Sequence, residues 1–175
     1  MKIAIKYGLI IWFFTSLTSL IGIHLIGLEN LFDIKVGGVL PLLIMAGGIF
    51  FGIREYRKIQ YHEMMNYGQA LLSGITITLW AGLFLAIFNF VYFAFLNPGF
   101  AEEFIQVITP VMKSKNLKPV EIQKEIELIR EGYKPQNMLL NTFVQSLIMG
   151  LIFSSVLSAF LRNRDTFTQI FTPKK

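Results

Sequence analysis

The sequence predicts an all-α fold: a four-helix transmembrane bundle with two short amphipathic helices in the long loop between the third and fourth spans. Three observations lead to this prediction. The 175 residues are 54% hydrophobic and only 15% charged, whereas ordinary globular domains are about 25% charged. Four uncharged apolar runs each extend over at least 18 residues. The basic residues are concentrated at alternate ends of these runs.

The apolar runs cover residues 7–28, 36–53, 70–97 and 138–161. A helix needs about 20 residues to cross roughly 30 Å of hydrocarbon, and in lipid every backbone amide must bond within its own segment. The strands of a transmembrane barrel are about half as long and alternate in polarity. We therefore expect four helical spans in a single integral membrane domain, residues 1–175.

The first run follows Lys2 and Lys6, as the apolar core of a secretory signal peptide follows basic residues. This run is longer than the about 7–15 apolar residues of a signal peptide, and residues 19–27 contain no clear A-x-A cleavage site. We interpret the run as a retained first span.

The second run is the richest in residues that weaken a helix. These residues are Gly37, Gly38, Pro41, Gly47, Gly48 and Gly52. Glycine and proline are tolerated in spans that neighbouring helices support, so close packing is the simpler interpretation. A broken helix that lines a cavity is the alternative.

Small residues at every fourth position are the most specific pattern inside the spans. They let helix backbones approach closely, and in lipid this packing replaces the hydrophobic force between helices. The rows of the third and fourth spans, from Ala70 to Ala86 and from Thr142 to Ser158, each have five members. A row with a step of four drifts about 40° per step, so the five members cannot all face one straight partner. The packing candidates are Gly48 and Gly52 in the second span, Gly74, Thr78 and Gly82 in the third, and Ser146, Gly150, Ser154 and Ser158 in the fourth.

Polar side chains in the spans are few, and the notable ones are Asn89, Asn141 and Gln145. Hydrogen bonding between helices is the simpler interpretation, and a path for a solute is the alternative. A polar cavity that reaches all three residues would favour transport, whereas a filled bundle would favour a structural role. No acidic or basic residue lies in the middle of a span, which argues against an ion-coupled transporter.

The orientation follows from the basic residues, because short cytoplasmic flanks are enriched in Lys and Arg. One side would carry nine basic and three acidic residues, and the other seven basic and eight acidic. The nine are Lys2, Lys6, Arg54, Arg57, Lys58, Arg162, Arg164, Lys174 and Lys175. We expect both termini in the cytoplasm and the loop 98–137 outside.

The loop 98–137 is the only sizeable part of the chain outside the spans. Asn97 and Pro98 resemble the start of a helix, and Pro110 is expected to kink or end it. A second helix is predicted from Pro119 to Gly132. Pairing of Glu121 with Lys124 and of Glu127 with Arg130 is possible at this spacing. The helices would cap the bundle or rest on the outer leaflet, and partner binding stays open.

The stretch YHEMMNYG, residues 61–68, resembles the H-E-x-x-H zinc motif but ends in Asn66. An amide is a poor replacement for the second imidazole on Zn²⁺. The other histidine, His24, belongs to the opposite side of the membrane in the predicted topology. The chain contains no cysteine, and neither a nucleophile-elbow nor a phosphate-loop motif is present. We expect no catalytic, cofactor-binding or metal-binding residues.

Five segments together resemble the small bacterial integral membrane proteins of the DUF4199 family, a domain of unknown function. They are FGIREYR, NYGQALLSGITITL, FLNPGFAEEF, YKPQNMLLNTF and GLIFSSVLSAFLRNR, and the resemblance covers nearly the whole chain. The resemblance implies four spans and supplies no catalytic residues. It also implies the inner membrane of a Gram-negative bacterium, with the loop 98–137 in the periplasm.

The function that these observations favour is a non-enzymatic structural or interaction component of the bacterial inner membrane. Its partners would be the lipid bilayer and a second copy or another membrane protein, bound through the small-residue faces or the outer loop, and nucleic acid is not expected. A small channel or transporter subunit that acts as an oligomer is the alternative.

Overall fold

A computed structural model describes residues 1–26, 36–115 and 118–162, and within them the chain is helical with short connections. Its six α-helices are α1 (Lys2–Ile21), α2 (Val36–Ile59), α3 (Tyr67–Val91), α4 (Phe100–Ser114), α5 (Pro119–Gly132) and α6 (Pro135–Leu161). One π-helical turn follows α1 (Gly22–Ile26) and another follows α3 (Tyr92–Leu96). The predicted all-α class with four long apolar helices is confirmed.

The four long helices extend beyond the apolar runs. The first begins at Lys2, and the second continues to Ile59 through four charged residues. Apolarity marks only the part of a helix that lipid covers, whereas backbone hydrogen bonding continues into the headgroup region. The second span is continuous from Val36 to Ile59 with Pro41 inside it, so the broken-helix alternative is wrong there. The predicted end of the first span, residue 28, lies outside the described residues.

Many large apolar side chains point outward from this bundle, and the residues buried in α3 and α6 are mostly small. Phe13, Leu43, Leu72 and Phe160 are all exposed by half or more. The residues buried in α3 and α6, by contrast, are mostly Gly, Ala, Ser and Thr. A soluble domain would bury its large apolar side chains. The reversed arrangement fits lipid, where exposed apolar surface has no cost and close packing favours small residues.

The closest packing joins α3 to α6, which run antiparallel. A Cβ added to Gly150 would lie 2.6 Å from the Thr78 Cβ, one on Gly74 2.8 Å from the Ser154 Cβ, and one on Gly82 3.0 Å from the Ser146 Cβ. Each step of four residues forward in α3 therefore matches a step of four backward in α6. Three successive members of each row face a single partner, and Ser158, the next member of the row in α6, is also buried.

The remaining packing candidates lie on α2. A Cβ on Gly48 would meet the side chain of Ile11 in α1, and one on Gly52 would lie 3.2 Å from the Tyr7 ring. The third span contacts each of the other three and is the most deeply buried of them. The packing candidates of the second, third and fourth spans are therefore used inside one copy of the chain.

Two details of the loop 98–137 differ from the sequence prediction. The first loop helix begins at Phe100 with Gly99 as its N-cap residue, rather than at Pro98. The amide of Asn97 instead donates to the Glu103 carboxylate at 3.3 Å. Pro110 lies inside this helix, which continues to Ser114, so the alternative that Pro110 ends the helix is wrong and the kink stays a prediction. An interior proline removes one backbone hydrogen bond and crowds the carbonyl four residues earlier, and the buried side chains of Phe100 and Ile105 hold the first half of this helix in place.

We predict that Gly150→Ala destabilises the protein by about 1–3 kcal/mol, because the added methyl overlaps the Thr78 Cβ, which no rotation of the Thr78 side chain can move. The free energy of unfolding in detergent micelles measures the effect. Gly47→Ala is the matched control, since a Cβ there meets nothing within 4 Å. Thr78→Gly should restore stability in the Gly150→Ala background, and equal stability of the two alanine variants would contradict the packing.

Candidate functional site

The stretch that resembles a zinc motif forms a turn between α2 and α3. His62 and Glu63 have φ angles of 45° and 67°, in the left-handed region, so His62 and Asn66 do not share a helix face as the ligands of a zincin do. Asn66 is the N-cap of α3. Its side-chain oxygen accepts a hydrogen bond from Gln69 N at 2.9 Å, and the Gln69 side-chain oxygen accepts one from Asn66 N at 3.0 Å. The asparagine is therefore a capping residue, in a reciprocal pair that stabilises the first turn.

His24 lies at the other end of the bundle, in the π-helical turn that follows α1. Its Nε2 is 3.0 Å from the hydroxyl of Tyr92, which belongs to the π-helical turn after α3. The two irregular turns thus meet through this hydrogen bond. Within the described parts of the chain, no group of three or more His, Asp or Glu side chains is placed to hold a metal ion.

An open crevice of about 230 Å³ lies beside this pair, and we call it the outer crevice. Most of its lining is apolar or aromatic, and Ser19 and Asn89 are its polar members besides Tyr92 and Tyr133. The lining residues are Ser19, Leu20, Ile23, Phe88, Asn89, Tyr92, Phe93, Phe100, Tyr133 and Met138. A site of this kind suits an apolar chain or ring with one group that forms hydrogen bonds.

The three polar residues of the spans have different positions. Asn89 lines the outer crevice, and its Nδ2 donates to Thr142 Oγ1 at 2.9 Å, joining α3 to α6. Asn141 and Gln145 lie instead on the exposed surface of α6, outside the crevice. The crevice therefore reaches one of the three residues that a solute path would have required.

A cluster of aromatic rings attaches the loop helices to the bundle. Tyr133, between α5 and α6, lies 5.4 Å from the Phe93 ring and 5.0 Å from the Phe100 ring, measured between centroids. Phe93 and Phe100 also meet edge to face at 5.1 Å. Burial raises the pKa of Tyr133. No spacing in the sequence predicts this cluster, because its members come from three separate elements and only the fold brings them together.

The two loop helices are also joined by an ion pair. Arg130 of α5 donates to both carboxylate oxygens of Glu102 in α4, at 2.6 and 3.1 Å. The sequence spacing had suggested Glu127 as the partner of Arg130, but the hydrogen bonds go to the other helix. Likewise, Glu121 accepts from the backbone of Lys118 rather than pairing with Lys124. Hydrogen bonding to Arg130 lowers the pKa of Glu102.

The opposite end of the bundle carries a second set of polar contacts. Glu55 of α2 accepts hydrogen bonds from Lys6 Nζ at 2.7 Å and from the Tyr7 hydroxyl at 2.8 Å, both in α1. Arg57 lies 3.1 Å from the Glu63 carboxylate and donates to the carbonyl of Leu161, the last residue of α6. These contacts place the start of α1 and the ends of α2 and α6 at one end, so successive long helices alternate in direction.

Comparison of the sequence with known protein families gives a match. The family described as "Protein of unknown function (DUF4199)" matches residues 5–163. The chain belongs to the DUF4199 family. The match includes all six helices of this DUF4199 protein except the first residues of α1. A search of curated proteins and a search of solved structures each found no match to the chain.

We predict that Asn66→Ala destabilises this DUF4199 protein by about 1 kcal/mol, the usual cost of losing an N-cap side chain. Asn66→Asp is the control, because a carboxylate also accepts from the Gln69 amide. The free energies of unfolding of the two variants in micelles test the cap. An equal loss of stability in Asn66→Ala and Asn66→Asp would show that the Asn66 side chain does not stabilise the protein by accepting this hydrogen bond.

We predict that acidification loosens the pair of loop helices. The folded pKa of Glu102 lies below its ordinary value, so the ion pair contributes fully above the ordinary carboxyl pKa and is lost as the pH falls through the lowered one. Spin labels at Lys113 and Lys124 should show a distance distribution that broadens in acid. Glu102→Gln should be broad already at neutral pH, whereas Glu103→Gln should behave as the parent. A distance distribution that changes neither with pH nor in Glu102→Gln would contradict the prediction.

Proposed function

We propose that this DUF4199 protein is a non-enzymatic structural or interaction component of the bacterial inner membrane. The single observation that carries the proposal is the close contact between α3 and α6 in the middle of these two helices. Gly150 and Thr78 meet there with no room for one more methyl group, so the outer crevice has no route along the α3–α6 interface. A single copy of the chain is therefore a packed scaffold, and its crevice and its loop helices lie at the surface.

The basic residues support an orientation with both termini in the cytoplasm. Lys2, Lys6, Arg54, Arg57 and Lys58 all belong to the end of the bundle at which Glu55 and the Leu161 carbonyl lie. Short cytoplasmic flanks are typically rich in such residues. The outer crevice and the loop 98–137 would then face the periplasm.

The loop helices are the part of the surface that suits a partner outside the membrane. Between α4 and α5 lies an open groove of about 570 Å³. Apolar side chains of Ile108, Met112 and Leu128 line it beside charged groups that include Lys115 and Glu121. Mixed lining of this kind resembles the composition of protein interfaces more than that of an anion site.

A small channel or transporter subunit that acts as an oligomer is the second candidate. The observation that favours it is the exposure of Asn141 and Gln145 on α6, since polar side chains on the outside of each copy could line a path between copies. Flux of small solutes into proteoliposomes separates the two functions. Transport that Gln145→Leu abolishes would establish the second candidate and overturn the first.

We predict that the two loops lie on opposite sides of the membrane. The chain has no cysteine, so Lys115→Cys and His62→Cys each carry one thiol on an exposed residue. A membrane-impermeant maleimide added to intact cells should label Lys115→Cys at once and His62→Cys only after the inner membrane is permeabilised. Labelling of both residues in intact cells, or of His62→Cys alone, would overturn the proposed orientation.

A further inference from the structure

We propose that α6 is the dimerisation helix of this protein, and that its exposed face bearing Asn141 and Gln145 packs against the same face of a second copy. The two amides of one copy form hydrogen bonds with those of the other. This inference rests on the proposed function, because it requires α6 to cross the membrane.

The two amides are exposed and lack partners. Both residues lie on the outer surface of α6, and neither amide has a hydrogen-bond partner within the described ranges 1–26, 36–115 and 118–162. Asn89 differs from these two residues, because its amide donates a hydrogen bond to Thr142 of α6. An amide that meets only lipid loses its hydrogen bonds with water and gains none in return.

The position of Gln145 along α6 puts its amide in the hydrocarbon. The helix has 27 residues, from Pro135 to Leu161, with Lys134 before it and Arg162 after it. At about 1.5 Å per residue it is roughly 40 Å long, and Gln145 is about 15 Å from its first residue. A hydrocarbon layer of roughly 30 Å centred on this helix would contain Gln145 well inside it and Asn141 near its outer edge.

The residues that follow the amides continue the same face at alternating steps of four and three. The stripe consists of Asn141, Gln145, Ile148, Ile152, Ser155 and Ala159. Alternating steps of four and three repeat every seven residues, the spacing at which two helices remain in contact along a left-handed crossing. Ile148 is 55% exposed and Ile152 is 50% exposed, so the stripe is open to a partner along most of its length.

A second copy is the occupant that this face fits best. In a dimer with its twofold axis along the membrane normal, the two α6 helices run parallel and equal residues meet at equal depth. A side-chain amide both donates and accepts, so Asn141 and Gln145 each complement themselves. The small-residue rows cannot serve the same purpose, because they are already buried between α3 and α6.

Disulfide crosslinking in native membranes tests whether this face of α6 is the dimer interface. The chain contains no cysteine of its own, so each variant carries a single thiol. Ile152→Cys lies on the stripe, and Leu151→Cys is its matched control because both residues are 50% exposed and are adjacent along the helix. Only their directions differ, by about 100°. Under mild oxidation at low expression, Ile152→Cys should form dimers several-fold faster than Leu151→Cys.

The amides are tested in the Ile152→Cys background. Asn141→Leu and Gln145→Leu should each lower the dimer fraction by about threefold, the effect expected of one interhelical hydrogen bond in lipid. Leu140→Ala, a change on an exposed residue beside the stripe, should have little effect. Unchanged unfolding in micelles would show that each variant still folds.

Two results would overturn the dimer. One is equal crosslinking of Leu151→Cys and Ile152→Cys, or none at either residue, which would leave the face to lipid or to another membrane protein. The other is a dimer fraction that is unchanged by both Asn141→Leu and Gln145→Leu. The maleimide labelling of Lys115→Cys and His62→Cys does not depend on dimerisation, so a failure of the proposed membrane topology would be recognised separately.

Discussion

The close approach of α3 and α6 is the constraint on which the rest of the structure depends. Gly150 faces Thr78 at a distance that leaves no room for a β-carbon. Gly74 and Gly82 repeat the contact one turn to either side. Because lipid offers no hydrophobic force between helices, the bundle depends on this dense packing of small groups for its cohesion. Many large apolar side chains, such as Phe13, Leu43 and Leu72, are correspondingly exposed on the outside, where they contact lipid.

The outer crevice begins where this packing ends. The small-residue row of α3 finishes at Ala86, and Phe88, Asn89 and Tyr92 follow it. Bulky side chains cannot let backbones approach as closely as glycine and serine do, so aromatic rings and open space replace close contact near the π-helical turns. Tyr92 and His24 join the turns after the first and third spans to each other, and Tyr133 joins the loop helices to the third span through Phe93.

Sequence reasoning succeeded where one strong local signal decides the structure. Long apolar runs indicate spans whatever their neighbours are, and the order of charged flanks is consistent with helices that alternate in direction. It failed where a residue chooses among partners. Arg130 had Glu127 within reach on its own helix but bonds Glu102 of another, and no spacing rule shows which helix lies closer. The turn at His62 was recognised as a poor zinc site from Asn66, but the capping role of that asparagine required the backbone geometry.

By itself, the sequence determined the class of this protein: four apolar helices, a helical loop and membership of a family of membrane proteins, because hydrophobicity and chain length are local properties. Only the tertiary structure decided which faces meet. It paired the small-residue rows of the third and fourth spans with each other inside one chain, and it left Asn141 and Gln145 on the surface. The physical reason is that a periodic row specifies a face but not its partner, which depends on the simultaneous fit of all four helices.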